Sequence, residues 1–194
     1  MKNIIIAGAG GLGREILALL KNINTTQPQW KVLGFVDDGK TVGDVVNGVE
    51  VLGGVEYLNT LKTGTAVIIA ISLPKVRKTI FDAISNTNIY FPTIIHPSSI
   101  ISDADFVGMG QGCILCINTV LTTNVVLGDF VLINAGAIIN HDAQISSFST
   151  IMPGVNISTG AQISKGCFIG TGSKISKPAV ISAWENLPAG TIIA

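Results

Sequence analysis

The chain has 194 residues and a formal net charge of zero, because twelve lysine and arginine residues balance twelve aspartate and glutamate residues. Apolar residues make up 47% of the chain and charged residues 12%, against about 25% charged residues in ordinary soluble domains. This composition excludes a mainly disordered chain, and the lack of a basic surplus argues against nucleic acid as a partner. No apolar run approaches the roughly 18 residues of a membrane-spanning helix, so we expect no membrane insertion.

The first residues do not have the pattern of a signal peptide. The apolar stretch after Lys2 is interrupted by four glycines and then by Arg14 and Glu15, before a signal-peptide core or cleavage site forms. We therefore expect a cytoplasmic protein.

The three cysteines have an odd count and lie among aliphatic residues. Cys113 and Cys116 have the spacing of half a zinc or redox site, but no second Cys or His pair stands nearby to complete it. We expect these two and Cys167 to be small, reduced core residues, and we expect no metal.

Residues 1–92 alternate strands and helices. The glycine cluster at 8–13 follows a continuous apolar run of the kind found in buried parallel strands. In chain order, the predicted elements are a strand at 4–7, a helix at about 12–22 with Ile16, Leu17, Leu19 and Leu20 inside, strands at 31–36 and 65–71, and a helix from Pro74 to about Ser85 with Phe81 and Ile84 inside. This order indicates a small Rossmann-type sheet.

Residues 93–194 follow a six-residue repeat instead. Thirteen aliphatic or methionine residues stand six positions apart: Met109, Leu115, Leu121, Leu127, Ile133, Ile139, Ile145, Ile151, Ile157, Ile163, Ile169, Ile175 and Ile181. Four residues after each of the nine from Leu127 to Ile175 comes a small or modest residue, such as Ala137 or Ala143. Neither a helix nor a flat strand has a period of six, and a β-sandwich would not keep one phase for so long.

A three-sided prism accounts for this period. Each short strand points its aliphatic residue inwards, the small residue lets the chain turn a corner, and three hexads close one 18-residue coil. Stacking the coils about 4.8 Å apart then places the aliphatic residues in ladders. Ile95, Ile101 and Val107 keep the same period two residues out of phase, which predicts a small irregularity in the first coil.

The repeat resembles that of the hexapeptide-repeat acyltransferases, which have a left-handed parallel β-helix. With the Gly8–Glu15 segment GAGGLGRE before the prism, residues 1 to about 175 resemble the group of sialic-acid O-acetyltransferases and bacillosamine N-acetyltransferases. The resemblance implies a sugar acetyltransferase that uses acetyl-CoA, with a nucleotide-sugar acceptor bound by the first domain. It also implies a homotrimer with acetyl-CoA between neighbouring prisms. The absence of Lys and Arg between Lys78 and Lys165 independently favours buried faces.

The resemblance makes His141 the general base of the reaction. It stands at the third position of its hexad, which points away from the interior, and Asp142 follows it. Neutral imidazole would take the acceptor's proton during direct attack on the thioester, while Asp142 orients the ring. Asn134 matches a family asparagine near the acetyl group, although a corner asparagine is equally consistent with a left-handed turn. His96, before a proline, is interpreted as a surface or packing residue.

The binding residues are carried over more loosely. For the nucleotide part of the acceptor, the resemblance and the helix N-terminus together indicate the glycine loop and the acids after the second strand: Gly8, Gly10, Gly11, Leu12, Asp37 and Asp38. For acetyl-CoA, the family's coils after the histidine suggest Thr150, Gly154, Thr159, Gly160 and Thr171, for which ordinary corner positions are an alternative.

The chain departs from the family pattern at three places. Thr150 stands where the family often has a second histidine, and Leu12 stands where nucleotide-sugar members often have one in the glycine loop. The end of the chain stops before the family's Gly-x-Pro-Ala-Lys tail. These departures leave the sugar, the nucleotide and the choice between N- and O-acetylation open.

Two other functions fit parts of the sequence. Gly8-x-Gly10-x-x-Gly13 with Asp37 downstream fits the dinucleotide fingerprint of an NAD(P)-dependent oxidoreductase, although a second mononucleotide half is missing. A prism that has lost catalysis and only binds sugars is the other alternative.

Overall fold

The computed structural model describes residues 1–177 and 179–194. The chain divides into two compact units. The first consists of Met1–Ser72 and Val76–Pro92, and the second of Leu73–Lys75 and Thr93–Ala194.

The first unit is built on one six-stranded sheet. Its strands are β1 (Lys2–Ala7), β2 (Trp30–Val36), β3 (Val45–Val46), β4 (Val49–Gly53), β5 (Thr65–Ile69) and β6 (Ile89–Tyr90). Its helices are α1 (Gly11–Thr26), a 3₁₀ helix at Val55–Thr60 and, from Val76 onwards, α2 (Pro74–Ala83). The order is β3-β4-β2-β1-β5-β6, and only the β3–β4 pair is antiparallel. The predicted Rossmann-type arrangement is confirmed.

Burial explains why these segments form their elements. Ile4, Ile5 and Ile6 in the central strand β1 have no exposed surface, and the four predicted inner residues of α1 are all buried. The helix runs to Thr26, four residues beyond the predicted end, and the Gln27 N–H closes it by donating to the carbonyl of Ile23.

The sequence did not predict the β3–β4 hairpin. Asn47 and Gly48 form its turn with φ values of 49° and 82°, the left-handed pair that two-residue hairpins favour. The strands are too short and too exposed for an apolar pattern to reveal them. Strand β5 and helix α2 each end two residues before the predicted boundary, at Ile69 and Ala83.

The second unit is the three-sided parallel prism that the repeat predicts. The strands of its first face are Ile94–Ile95, Ile114–Leu115, Leu132–Ile133, Thr150–Ile151, Phe168–Ile169 and Asn186–Leu187. The second face has Ile100–Ile101, Val120–Leu121, Ile138–Ile139, Asn156–Ile157, Lys174–Ile175 and Ile192–Ile193. The third face has Gly108–Met109, Val126–Leu127, Gln144–Ile145, Gln162–Ile163 and Val180–Ile181.

The interior of the prism is the predicted aliphatic ladder. From Met109 onwards each inner residue pairs with the one 18 positions later, as Ile133 does with Ile151 and Ile139 with Ile157. The ladder continues past the last predicted hexad, because Leu187 and Ile193 keep the same phase and pack against the same core. The prism is therefore longer than the thirteen predicted hexads.

The corners of the prism correct one part of the prediction. The small residues expected to turn the chain, such as Ala137 and Ala143, are fully buried and face inwards. The residue before each of them makes the turn, as Gly136 (φ 66°) and Asp142 (φ 62°) do. A left-handed residue recurs every six positions over the described part of 112–190, with φ between 54° and 72°.

The irregularity predicted in the first coil lies after Ile101. A short 3₁₀ helix at Ala104–Phe106 lengthens that side, so the Ile100–Ile101 and Gly108–Met109 strands start eight residues apart rather than six. Met109, not Val107, is therefore the inward residue of the third face. Val107 takes the position before the strand, which Val125 occupies in the next coil, and still packs against the core.

The cysteines are free thiols in buried positions, as predicted. The thiols of Cys113 and Cys167 bond to the carbonyl oxygens of Gly128 and Ser182. Among the described residues, no helix has both the length and the apolar character needed to cross a membrane.

Candidate active site

His141 and Asp142 lie at the corner between the second and third faces, which we call the histidine corner (residues 140–142 and 158–160). The chain leaves the Ile138–Ile139 strand, turns at these residues and enters the Gln144–Ile145 strand. Both side chains are about half exposed, at 52% and 54%. Neighbouring side chains on a regular strand would point to opposite sides. The left-handed φ of Asp142 instead allows its carboxylate to turn back towards the imidazole.

The hydrogen bonds of His141 fix its tautomer. Its Nδ1 lies 2.7 Å from Oδ2 of Asp142. An ionised carboxylate only accepts hydrogen bonds, so Nδ1 carries the proton and Nε2 of the neutral ring carries a lone pair. The hydroxyl of Thr159, on the next coil, lies 3.1 Å from Nε2. The ring is therefore held from both nitrogens.

The surroundings of Asp142 keep its carboxylate charged. The hydrogen bond from His141 is the main reason that the pKa of Asp142 lies below its usual value of 3.8. The charge of His141, a hydrogen bond from Asn124 and the charge of Lys177 act in the same direction, and partial burial opposes them. The carboxylate can thus stabilise an imidazolium next to it.

Three of the predicted residues lie at another corner, between the first and second faces. Asn134 is 7% exposed and its Oδ1 accepts the N–H of Ala135 at 2.8 Å. The left-handed residue of this corner is Gly136, so Asn134 does not fill that role. Gly154 lies one coil on, and Thr171 is exposed one coil further. Within one chain, this corner and the histidine corner lie at opposite ends of the second face.

The N–H groups of the two glycines proposed to bind the cofactor already donate hydrogen bonds within the prism. Gly154 N–H donates to Ala135 and Gly160 N–H donates to His141, in each case at 3.0 Å. Their left-handed corners leave open space, because a Cβ built at either glycine would meet no atom within 4 Å. These residues can offer room for a narrow ligand chain, but not their N–H groups.

Thr150 does not match its expected position at the cofactor. It begins a strand of the first face, away from the histidine corner, and has no exposed surface. A fully buried side chain has nothing to offer a ligand at the surface of this chain. Thr150 was assigned because the family often has a second histidine there, nine residues after His141. Nine residues is half a coil, so the two positions were not expected to be close within one chain.

The glycine loop of the first unit has the tight geometry of a phosphate-binding turn. Gly8 has a φ of 107°, and a Cβ there would lie 2.8 Å from Cδ1 of Ile71. A Cβ at Gly13 would overlap the carbonyl oxygen of Gly8, so only glycine lets α1 start this close to β1. Gly10 is the N-cap of α1, Gly11 is its first residue, and Leu12 follows, half-buried.

Asp37 and Asp38 shape the loops around this turn. Asp37 accepts the N–H of Ala9 at 2.7 Å through one oxygen and that of Gly39 at 2.9 Å through the other. Asp38 accepts the N–H of Val55 at 2.8 Å and so holds the 3₁₀ helix. Asp37 and Asp38 therefore have a structural role, accepting backbone hydrogen bonds, that was not predicted from the sequence.

A shallow open cleft of about 360 Å³ lies beside the glycine loop. Ala9, Gly10 and two cations, Arg14 and Lys40, line one part of it, and Val45, Val46 and Asn47 of the hairpin line the rest. Two cations beside a helix N-terminus are able to attract a phosphate group. No sequence pattern indicated Arg14 or Lys40 as binding residues, because their shared position in the cleft depends on the unpredicted hairpin and its loop.

His96 has a packing role. It is 8% exposed, and its Nδ1 accepts the N–H of Ser98 at 3.0 Å. Burial lowers its pKa, which favours the neutral ring. Among the described residues, no group of His, Cys, Asp and Glu side chains could hold a metal ion.

Residues 3–84 match the family described as the PglD N-terminal domain. The chain is 32% identical over 150 residues to the GDP-perosamine N-acetyltransferase of Escherichia coli O157:H7. The chain is thus similar to sugar acetyltransferases of the hexapeptide-repeat group. The alignment covers 77% of this chain and 66% of that relative, so the chain spans just under two thirds of the relative's length.

Solved structures of similar proteins have the same two-part architecture. The acetyltransferase domain of PglB from Neisseria gonorrhoeae FA1090 is 26% identical, with a TM-score of 0.89 over all of this chain and 92% of that one. The same domain in complex with acetyl coenzyme A gives a TM-score of 0.79 over 96% of its length. These likenesses confirm the predicted fold class, an α/β Rossmann-like part followed by a left-handed parallel β-helix.

A third solved structure supports the fold alone. It is a histidine-to-asparagine variant of perosamine N-acetyltransferase from Caulobacter crescentus, in complex with CoA and GDP-perosamine. It is 22% identical to this chain, with a TM-score of 0.90 over all of this chain and 89% of that one.

Proposed function

We propose that this chain transfers an acetyl group from acetyl-CoA to the amino group of a nucleotide-linked sugar, with His141 as the general base. The observation that carries the proposal is the histidine corner, where an exposed imidazole is held by Asp142 at Nδ1 and presents a lone pair at Nε2. A general base near neutral pH needs this arrangement. The named activity of the similar N-acetyltransferase supports the choice of an amine acceptor.

The reaction requires one bond exchange and one proton transfer. The acceptor nitrogen attacks the thioester carbonyl carbon, a C–N bond forms and the C–S bond breaks. His141 takes the proton that the nitrogen loses, and Asp142 stabilises the imidazolium. The imidazolium then returns this proton to the leaving thiolate, which restores the neutral ring. Asn134 is the proposed polar partner of the acetyl oxygen.

The open corners of the prism support the acetyl-CoA part of the proposal. Gly154 and Gly160 leave free space beside the backbone, and Thr171 has an exposed side chain on the coil above Gly154. A pantetheine arm is narrow enough to lie along such a corner. The solved complex of the PglB domain with acetyl coenzyme A supports the same cosubstrate.

The cleft of the first unit supports a nucleotide-linked acceptor. Arg14 and Lys40 supply two cations beside the N-terminus of α1, where a diphosphate would be attracted. In this proposal the glycine loop (Gly8, Gly10, Gly11 and Leu12) surrounds the phosphates, and Asp37 and Asp38 hold the walls of the site.

We further propose a homotrimer. Asn134, Gly154 and Thr171 share one corner and His141 another, so a second copy is required to bring the two corners of the site together. Apolar side chains on the outer surface support such an interface, among them Val126 at 52% exposure and Ile138 at 37%. Light scattering should give three times the chain mass, and Ile138→Asp should yield smaller species with little acetyl transfer.

The function is tested by release of free thiol from acetyl-CoA. Candidate acceptors are GDP- and UDP-linked amino sugars, with the matching hydroxy sugars as controls. The proposal predicts thiol release only with an amino sugar, and acetylated sugar in equal amount. No release with any acceptor would favour a binding protein without catalysis, and tight NADH binding would favour the oxidoreductase alternative.

A further inference from the structure

The hydroxyl of Thr159 faces the nitrogen on which the proposed chemistry depends. Thr159 follows His141 by 18 residues, one coil, and is half-buried. The Gly160 N–H donates to the carbonyl of His141 at 3.0 Å, which ties the two turns together. This backbone bond keeps the Thr159 Oγ1 within 3.1 Å of Nε2.

The direction of this hydrogen bond follows from the protonation of the ring. In the neutral ring Nε2 is an acceptor, so the Thr159 hydroxyl donates to it. In the imidazolium Nε2 carries a proton and donates to Oγ1 instead. The same contact therefore persists in both protonation states, and only its direction changes.

The contact also restricts how an acceptor can reach the base. While Thr159 donates to Nε2, the lone pair of that nitrogen is occupied. The hydroxyl oxygen keeps two lone pairs of its own, and these can accept a proton from an incoming amine.

We propose that the Thr159 hydroxyl is a further catalytic group, which relays the acceptor's proton to Nε2 of His141. The relay rests on the proposed acetyl transfer. As the C–N bond forms and the C–S bond breaks, the nitrogen gives its proton to Oγ1 of Thr159. At the same time Oγ1 gives its own proton to Nε2, so the hydroxyl is regenerated and His141 carries the net charge. This replaces the cofactor-binding role expected of Thr159.

Three charged groups lie around the ring or along the same edge of the prism. Asp142 faces Nδ1, Lys177 two coils on acts on Asp142, and Asp103 accepts the hydroxyl of Thr123, one coil before His141, at 3.2 Å. None of them replaces the hydroxyl at Nε2 in the described structure.

The test compares three variants in the full-length protein. Thr159→Val removes the hydroxyl and keeps the shape, Thr159→Ser keeps the hydroxyl, and Thr123→Val removes the corresponding hydroxyl one coil before His141. The relay predicts that Thr159→Val lowers kcat at least about 10-fold with little change in the KM for acetyl-CoA. Thr159→Ser should stay within a few-fold of the parent, and Thr123→Val should match it.

A solvent isotope measurement separates a relay from a structural role. In mixtures of H₂O and D₂O the parent rate should depend on two transferring protons, whereas Thr159→Val should depend on one. Thermal unfolding checks that each variant is folded. Equal or faster turnover by folded Thr159→Val, or a one-proton dependence in the parent, would overturn the relay alone. A parent that transfers no acetyl group would overturn the proposed function, and the relay with it.

Discussion

The Nδ1 atom of His141 lies 2.7 Å from Oδ2 of Asp142, although the two residues are neighbours in the chain. This contact depends on the corner of the prism, because Asp142 adopts the left-handed conformation there. The six-residue repeat that builds the core thus also builds the candidate site.

The hydrogen bond between His141 and Asp142 predicts how the pKa of Asp142 responds to substitution. Folding lowers its pKa chiefly through the His141 hydrogen bond, so His141→Ala should raise that pKa towards 3.8. Since the folded pKa is depressed, ionised Asp142 favours the folded chain at higher pH, and this contribution is lost as the pH falls through the lowered pKa. Carboxyl carbon NMR measures the midpoint. Asn124→Ala should cause a smaller rise, and an unchanged midpoint in His141→Ala would contradict the assigned pair.

The cleft beside the glycine loop predicts a charge effect on acceptor binding. Removing one cation that bonds to a phosphate should raise the KM for the nucleotide sugar about 10-fold, while the KM for acetyl-CoA stays the same. Steady-state kinetics of Arg14→Ala and Lys40→Ala measure this. Lys31→Ala, an exposed cation on β2 outside the cleft, is the control. Equal effects of all three variants would show that the cleft has no specific role.

The corners of the prism predict a difference between two glycines. Gly166 and Gly172 have φ values of 71° and 69°, but a Cβ at Gly166 would overlap the Trp184 ring, whereas a Cβ at Gly172 would meet nothing within 4 Å. Gly172→Ala should therefore cost about 1–2 kcal/mol in unfolding free energy, from the left-handed backbone alone. Gly166→Ala should cost more, and adding Trp184→Ala should bring it back towards the smaller value. Equal losses in both single variants would refute the steric explanation.

The prism could be predicted from sequence because its constraint recurs. Every hexad needs one inward aliphatic residue, so the six-residue period indicates the fold of the whole second unit. The strands of Leu187 and Ile193, which were not predicted, follow the same period. The residues that turn the corners were harder to predict from sequence. Left-handed turns favour glycine and asparagine, but this chain also uses Phe130, Phe148 and Trp184 there. The rings of Phe130 and Phe148 stack with centroids 5.1 Å apart.

The contacts of the histidine corner were predicted only where its residues are close in sequence. His141 and Asp142 are adjacent, so one motif indicated both. The contact of Thr159 with Nε2 spans one coil, and pairing residues at 18 positions would have found it. Arg14 and Lys40 line one cleft together with a hairpin that has no apolar pattern. Thr150 was assigned from the family resemblance, which does not indicate that its side chain is buried. Such relationships depend on tertiary structure and carry no local signal.

The proposed role of His141 as general base is tested by measuring how fast His141→Ala transfers acetyl groups to an amino-sugar nucleotide at saturating acetyl-CoA. The side chain is half exposed, so the variant should remain folded at the assay temperature, which thermal unfolding checks. Gln144→Ala, an exposed change on the following strand, is the matched control. We predict a fall in kcat of about 100-fold or more for His141→Ala, the effect of losing a general base, and no change for the control. A folded His141→Ala variant that turns over as fast as the parent would show that His141 is not the general base.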